Sequence, residues 1–166
     1  MKGTGEFTLR LQPDSITMDK IESFKVDHTK LVKGIYVSRI DGDITTYDLR
    51  FKKPNMGDYL SNSAMHTIEH LMATYLRNSD MAEDVIYFGP MGCQTGFYLL
   101  VRNADNARVL KCVKTALKNC IEHNGEVFGC SEIECGNYRS LDLKSAVIEC
   151  EKYLAVLNSR NNNFKY

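Results

Sequence analysis

The order of apolar and polar residues predicts strands in the first third of the chain. Residues 24–28 (Phe-Lys-Val-Asp-His) alternate as in a half-buried strand. Two β-rich runs, 34–40 and 44–51, flank the turn Asp41-Gly42-Asp43. Asp-Gly favours the positive φ angles of tight turns, so we expect these two runs to form a hairpin.

Helical spacing begins after the chain break at Pro54. Ser61, Asn62 or Ser63 can cap a helix, whose apolar stripe comprises Met65, Ile68, Met72 and Tyr75. Short strands are expected over 85–88 and 97–101, on either side of a Gly-rich loop. Further amphipathic helices are expected over about 105–123, before Gly125, and over about 141–157.

Paired strands that do not alternate regularly with helices favour an α+β fold, in which an antiparallel sheet packs against helices in a single domain. We expect residues 1–17 to be an N-terminal extension, because a clearer pattern begins at Met18. The domain would span 18–158. The polar tail, 159–166, would be frayed.

Composition narrows the classes of partner. The 21 basic and 21 acidic residues give a formal net charge of zero, which predicts neither nucleic-acid nor membrane binding. No apolar run reaches the roughly 20 residues that span a bilayer. The first residues lack the apolar segment of a secretory signal. With no sign of secretion, the six cysteines favour reduced thiols in a cytoplasmic protein. We expect Cys112 and Cys120 to be small buried residues of a helix.

The segment His66-Thr67-Ile68-Glu69-His70 lies on the first predicted helix. Residues four apart share one helix face, so His66 and His70 can bind one metal ion, with Glu69 beside it. A metal with an adjacent carboxylate can support proton transfer at a polarised oxygen. A catalytic site of the zinc type needs a third protein ligand and one open position. The sequence leaves that ligand open among His28, His123, Cys135, Glu132, Glu134 and Glu149. Cys135 is attractive because Gly136 follows it and permits a close backbone approach.

A second candidate is Cys93, in the Gly-rich loop Gly89-Pro90-Met91-Gly92-Cys93. Buried, inert thiols usually lie on the apolar face of a helix or strand, whereas this position is expected to be exposed. A nearby metal would favour the thiolate, which can act as a base or a nucleophile.

Three segments resemble the signature segments of the S-ribosylhomocysteine lyase (LuxS) family: His66–His70, Gly89–Tyr98 and Glu134–Tyr138. Ser23–Thr29 and Tyr47–Phe51 also resemble early strands of the family. The similarity runs in order from about Met18 to the final helix.

The resemblance implies roles for eight residues. The ligands of one divalent metal ion per subunit would be His66, His70 and Cys135. The metal would be Fe²⁺, for which Zn²⁺ or Co²⁺ can substitute. The catalytic acid/base pair would be Cys93 and Glu69, and the substrate contacts would be Ser23, His28 and Arg50.

The resemblance also implies a reaction and an assembly. The reaction cleaves the thioether of S-ribosylhomocysteine by successive carbonyl migrations and β-elimination. The products are homocysteine and 4,5-dihydroxy-2,3-pentanedione, the precursor of the signalling molecule autoinducer 2. The same reaction serves the recycling of activated methyl groups. The family forms homodimers whose active sites lie at the interface.

Two features depart from the family pattern. Tyr87 stands where many members have Asp, and residues 1–17 have no counterpart.

Two other functions compete with the lyase. A metallopeptidase would use Glu69 to activate water and a downstream Glu as third ligand. A metal-stabilised binding module would close the site with a fourth ligand, such as His28 or Cys130.

Overall fold

The computed structural model describes residues 6–9 and 16–166 and has an α+β architecture. The strands are β1 (Glu6–Leu9), β2 (Ile16–Asp19), β3 (Gly34–Asp41), β4 (Ile44–Arg50), β5 (Val85–Pro90) and β6 (Gly96–Arg102). The helices are α1 (Glu22–Lys25), α2 (Asn62–Arg77), α3 (Asn106–Ile121) and α4 (Leu143–Ser159), with a short 3₁₀ turn over Tyr138–Ser140. The predicted fold class is confirmed.

The main sheet is antiparallel, in the order β3-β4-β6-β5. The predicted β3–β4 hairpin is confirmed, and Gly42 in its turn has a φ of 60°. Alternate side chains of the central strands enter the core, because successive residues of a strand point to opposite faces. Fully buried examples are Tyr47 and Leu49 on β4 and Phe97 and Leu99 on β6. The polar residues Asp48 and Arg50 therefore face the other side of the sheet.

The long helices pack on the core face of the sheet, and a side chain caps each N-terminus. The Ser61 side chain accepts a hydrogen bond from the backbone N–H of Ala64, which confirms one of the predicted caps. Asp105 and Asp142 cap α3 and α4 in the same way. These caps satisfy backbone donors that have no partner within the helix. Cys112 and Cys120 on α3 are buried, as predicted.

The predicted strand over 24–28 is wrong. Residues Glu22–Lys25 form the single-turn helix α1, and Phe24 is 57% exposed. The Asp27 carboxylate accepts hydrogen bonds from the backbone N–H and the hydroxyl of Thr29. Such local bonds favour a turn over a strand, and five alternating residues are too few to outweigh them.

Residues near the N-terminus form a small separate sheet in which β1 pairs with β2. The predicted boundary between residues 17 and 18 falls within β2, and residues 1–5 and 10–15 of the predicted extension lie outside the described residues. The boundaries of the extension and of the tail therefore stay predictions. No helix among the described residues is long and apolar enough to cross a membrane.

The prediction of a frayed tail is wrong. Phe164 is only 8% exposed, forms a β-bridge with Tyr36, and packs edge-on against Tyr47 with ring centroids 6.0 Å apart. Its carbonyl accepts a hydrogen bond from the backbone N–H of Val37 at 2.9 Å. Two aromatic residues, Phe164 and Tyr166, lie among the polar ones. Burial of the Phe164 ring and stacking of the half-exposed Tyr166 ring on Tyr36 hold the segment on β3.

Candidate functional site

Three potential metal ligands converge where α2 meets the loop before the 3₁₀ turn. His66 and His70 lie on one face of α2, with ring centroids 4.6 Å apart. The Cys135 Sγ atom lies 3.4 Å from His66 Nε2. Ligand atoms of His66, His70 and Cys135 all lie within 4.8 Å of one another. Two imidazoles and one thiolate are a donor set that suits Zn²⁺ or Fe²⁺.

Hydrogen bonds orient both imidazole rings so that they can bind one metal ion. The Ser140 hydroxyl donates to the Asn137 carbonyl at 3.0 Å and accepts from His66 Nδ1 at 2.7 Å. His70 Nδ1 donates to the Phe128 carbonyl at 2.7 Å. With Nδ1 protonated in each ring, Nε2 keeps the lone pair that a metal requires.

Glycine at position 129 allows the chain to approach His70 closely. Its φ is 69°, and a Cβ atom there would lie 3.2 Å from His70 Nδ1. Any other residue would be strained in this conformation and would crowd the ring. Gly129 therefore helps the Phe128 carbonyl to reach His70.

The protonation state of His66 also favours metal binding. Burial and the neighbouring His70 lower the pKa of His66, and Glu69 opposes them. A lowered pKa keeps the imidazole neutral near pH 7. A neutral ring is the form that coordinates a metal ion.

Replacing Ser140 by Ala should weaken metal binding. The variant removes the acceptor that orients His66, and loss of such an outer partner typically costs about 10- to 100-fold in affinity. Competition with a metal chelator would measure the change. Ser159→Ala is the matched control, because Ser159 also donates to a backbone carbonyl but lies at the end of α4. Equal affinity in the two variants would contradict this role for Ser140.

The other candidate ligands have different partners. His123 bonds Tyr75 and the Glu126 carbonyl, Glu149 pairs with the Lys52 ammonium at 2.8 Å, and Glu134 accepts from the Ser131 hydroxyl. In the part of the chain that the structure describes, neither His28 nor Cys130 joins the group. A thiol rather than a Glu is thus the third candidate ligand, which disfavours the peptidase. The lack of a fourth ligand there disfavours a closed binding module.

Cys93 is exposed, as expected, and polar groups surround its sulfur. Arg50 Nη1 donates to Thr95 Oγ1 at 2.7 Å and lies 3.9 Å from Cys93 Sγ. Thr95 Oγ1 lies 3.0 Å from the same sulfur. Because Thr95 accepts from Arg50, its own proton is free to point at the sulfur. Both groups can then stabilise a thiolate.

A cleft of about 290 Å³ opens beside Cys93. It is lined by His28, Pro54, Asn55, Tyr59, Gly92, Cys93, Gln94 and Thr95. The structure thus brings His28 and Cys93 to one cavity, with Arg50 beneath Cys93. Ser23 is half-buried on α1.

The Cys93 loop is attached to the first turn of the helix that carries the metal-ligand candidates. The Gln94 side-chain amide donates to the Leu60 carbonyl and to Asn62 Oδ1, both at 3.1 Å. His66 follows Asn62 by one helical turn, a rise of about 6 Å. Glu69, half-buried on α2, lies close to the face that carries both histidines. The Cys93 loop therefore contacts the beginning of α2, one helical turn before the first ligand candidate, His66.

Two residues of this site, Thr95 and Asp48, were not identified from the sequence. Asp48 binds the Arg50 guanidinium through two hydrogen bonds, and both side chains are buried. A signal was available, since residues two apart on a strand share a face and carry opposite charges here. Tyr87 is 50% exposed on β5, and its ring lies over Gly89.

Comparison with known proteins places the chain in one family. The family model described as S-ribosylhomocysteinase (LuxS) matches residues 21–164. An S-ribosylhomocysteine lyase of Borreliella afzelii is 44% identical over 156 residues, covering 90% of this chain and 99% of the relative. The protein of the same name from Desulfotalea psychrophila is 45% identical, and the alignment covers 90% of this chain and 99% of that relative. The one from Finegoldia magna is 46% identical, and the alignment covers 86% of this chain and 94% of that relative. The chain therefore belongs to the S-ribosylhomocysteinase (LuxS) family.

Proposed function

We propose that this protein is a metal-dependent carbon–sulfur lyase that cleaves S-ribosylhomocysteine to homocysteine and 4,5-dihydroxy-2,3-pentanedione. The observation that carries the proposal is the convergence of His66, His70 and Cys135 beside α2, in a chain whose relatives are named for this reaction. The second product is the precursor of autoinducer 2, and release of homocysteine returns sulfur to the methyl cycle.

We propose that His66, His70 and Cys135 hold Fe²⁺, with Zn²⁺ or Co²⁺ able to replace it. Three protein ligands leave a position open for a substrate oxygen, as in other catalytic sites. The metal, when bound, supplies Lewis-acid polarisation of the sugar oxygens. The remaining steps are proton transfers, for which the chain offers a thiol and a carboxyl group.

Cys93 is suited to move protons between neighbouring sugar carbons. The thioether of the substrate is not activated until a carbonyl lies two carbons away from the carbon that bears sulfur. The carbonyl must therefore migrate from C1 to C2 and then to C3, and each migration removes one carbon-bound proton and returns it to the adjacent carbon. The Cys93 thiolate, stabilised by Arg50 and Thr95, would take and return the proton in the C2 region.

Glu69 would serve the later proton transfers. It would exchange protons with the sugar oxygens and remove the proton from C4. The electrons of that C–H bond then form the C4–C5 double bond, and the C5–S bond breaks. Homocysteine leaves as a thiolate and is protonated by an acid. The enol that remains gains a proton at C5 and loses its C4 hydroxyl proton, which gives the dione. One base on each side of the sugar could serve both halves of the reaction.

Ser23, His28 and Arg50 are proposed to hold the substrate. His28 lines the cleft beside Cys93, and its Nδ1 atom lies 2.9 Å from the Val26 carbonyl, which orients the ring. Arg50 is 3% exposed and is held by Asp48, so it offers a fixed positive charge next to the sulfur. We further propose a cytoplasmic homodimer in which both chains contribute to each active site.

Replacing Glu69 by Gln should leave metal binding intact and lower kcat by about 10²-fold, because an amide cannot exchange the proton. Release of homocysteine under substrate saturation would measure kcat, and elemental analysis would measure metal content. Glu132→Gln is the matched control, since Glu132 is exposed on the loop before Cys135. Unchanged turnover in Glu69→Gln would remove Glu69 from the mechanism.

The direct test uses anaerobically purified, Fe²⁺-loaded protein and S-ribosylhomocysteine. A thiol reagent would report free homocysteine, after subtraction of the thiols of the protein itself. We expect homocysteine to be released together with an equal amount of the dione. A folded, metal-loaded protein that releases neither product would overturn the proposed function.

A further inference from the structure

We propose that Tyr166 is a positioning residue of the active site, acting through Asp48 to hold Arg50 against Cys93. The role of Arg50 as a substrate contact rests on the proposed function. The series of contacts from Tyr166 to Cys93 rests on the distances in the structure alone.

The first half of this series of contacts joins the tail to the buried ion pair of Asp48 and Arg50. The Tyr166 hydroxyl donates to Asp48 Oδ2 at 2.7 Å. Asp48 is 1% exposed and accepts two further bonds from Arg50, from Nε to Oδ1 at 3.0 Å and from Nη2 to Oδ2 at 2.5 Å. Tyr166 and Arg50 therefore share one carboxylate oxygen.

The second half joins the ion pair to the reactive sulfur. Arg50 uses its remaining terminal nitrogen, Nη1, for Thr95 Oγ1 and for the approach to Cys93 Sγ. Because the guanidinium is planar and rigid, a carboxylate that fixes Nε and Nη2 also fixes the direction of Nη1. The position of Asp48 thus sets the distance from the positive charge to the sulfur.

The ring of Tyr166 is itself held in place. It stacks on Tyr36, with centroids 5.0 Å apart and an angle of 18° between the planes. Phe164, two residues earlier, is buried on β3. Burial and the nearby Asp48 carboxylate raise the pKa of Tyr166, so its hydroxyl stays protonated and acts as a donor. The docked tail can therefore supply a constant hydrogen bond to Asp48.

Loss of this hydrogen bond should weaken the positive field at Cys93. Without the Tyr166 donor, the Asp48 carboxylate can rotate, and Arg50 is its remaining hydrogen-bond partner of the two. A rotated carboxylate carries the planar guanidinium with it and moves Nη1 away from the sulfur. This change should lower the rate at which an anionic reagent alkylates Cys93, and should affect the rate of a neutral reagent of similar size less.

The test compares the alkylation of Cys93 by iodoacetate and by iodoacetamide in the metal-loaded full chain at pH 7. Mass spectrometry of the peptide that contains Cys93 would give both rate constants. Their ratio cancels the thiolate fraction and the exposure of the sulfur, so it reports the local charge. In Tyr166→Phe, which keeps the stacked ring, we expect the ratio of iodoacetate to iodoacetamide rates to fall about threefold.

Tyr36→Phe is the matched control. It removes one hydroxyl from the same stacked pair, but that hydroxyl donates to the Val32 carbonyl rather than to Asp48. The ratio should stay at the wild-type value in this control. Thermal unfolding of both variants would verify that each is folded. A wild-type ratio in Tyr166→Phe, or an equal fall in both variants, would overturn the proposal.

A second readout connects this role with the proposed reaction. If Arg50 holds the substrate, Tyr166→Phe should raise KM for S-ribosylhomocysteine about threefold and change kcat less, because the misplaced guanidinium weakens binding. The alkylation ratio needs no turnover. Failure of the proposed lyase activity and failure of the positioning role are therefore distinguishable.

Discussion

Replacement of Cys93 by Ala is expected to lower kcat for homocysteine release by about 10⁴-fold, the upper range for loss of a positioned acid or base. The thiol is exposed, so its removal leaves no cavity in the core. Arg50 and Thr95 retain their mutual hydrogen bond at 2.7 Å. The variant should therefore keep its metal and its unfolding temperature while it loses the group that moves the carbon-bound proton.

Steady-state turnover, metal analysis and thermal unfolding would be measured together for Cys93→Ala. Cys112→Ala is the matched control, because it removes a thiol from α3, outside the cleft. The control should retain turnover. If Cys93→Ala released homocysteine at the wild-type rate, its assignment as a proton carrier would be wrong.

Replacement of Cys135 by Ala is expected to abolish stable metal binding and to lower turnover by more than about 10³-fold. The two remaining candidate ligands, His66 and His70, are fewer than the three of a catalytic site. Binding to the folded state alone also stabilises a protein, by about 3 kcal/mol when the ligand is at 100 times its dissociation constant. Chelation should therefore lower the unfolding temperature of the wild-type protein and leave that of the variant unchanged.

Metal content after dialysis and thermal unfolding with and without chelator would check this expectation. Cys130→Ala is the matched control, since it removes a neighbouring thiol that lies outside the group of three ligands. We expect the control to bind metal as the wild type does. A Cys135→Ala protein that retained one tightly bound metal ion would show that another residue is the third ligand.

Features that depend on neighbours along the chain could be predicted from the sequence. The i, i+4 spacing of His66 and His70 is converted into a shared face by helix geometry alone. The cap at Ser61 and the turn at Gly42 are likewise local, and the structure has both. The strand predicted at 24–28 is wrong, but its replacement is also a local feature, because hydrogen bonds at Asp27 favour a turn over a short alternating run.

The tertiary structure decided which distant residues meet. Cys135 is 69 positions from His66, and only the packing of its loop against α2 distinguishes it from the other candidates for the third ligand. Tyr166 reaches Asp48 across 118 positions because Phe164 is buried against β3 and the Tyr166 ring stacks on Tyr36. Periodicity reports which face of an element is apolar, whereas the partner of that face depends on how all elements fill one core. The sequence by itself therefore determined the four strands of the main sheet, the three long helices and the two histidines of the site, and the fold determined the third ligand candidate and the surroundings of Cys93.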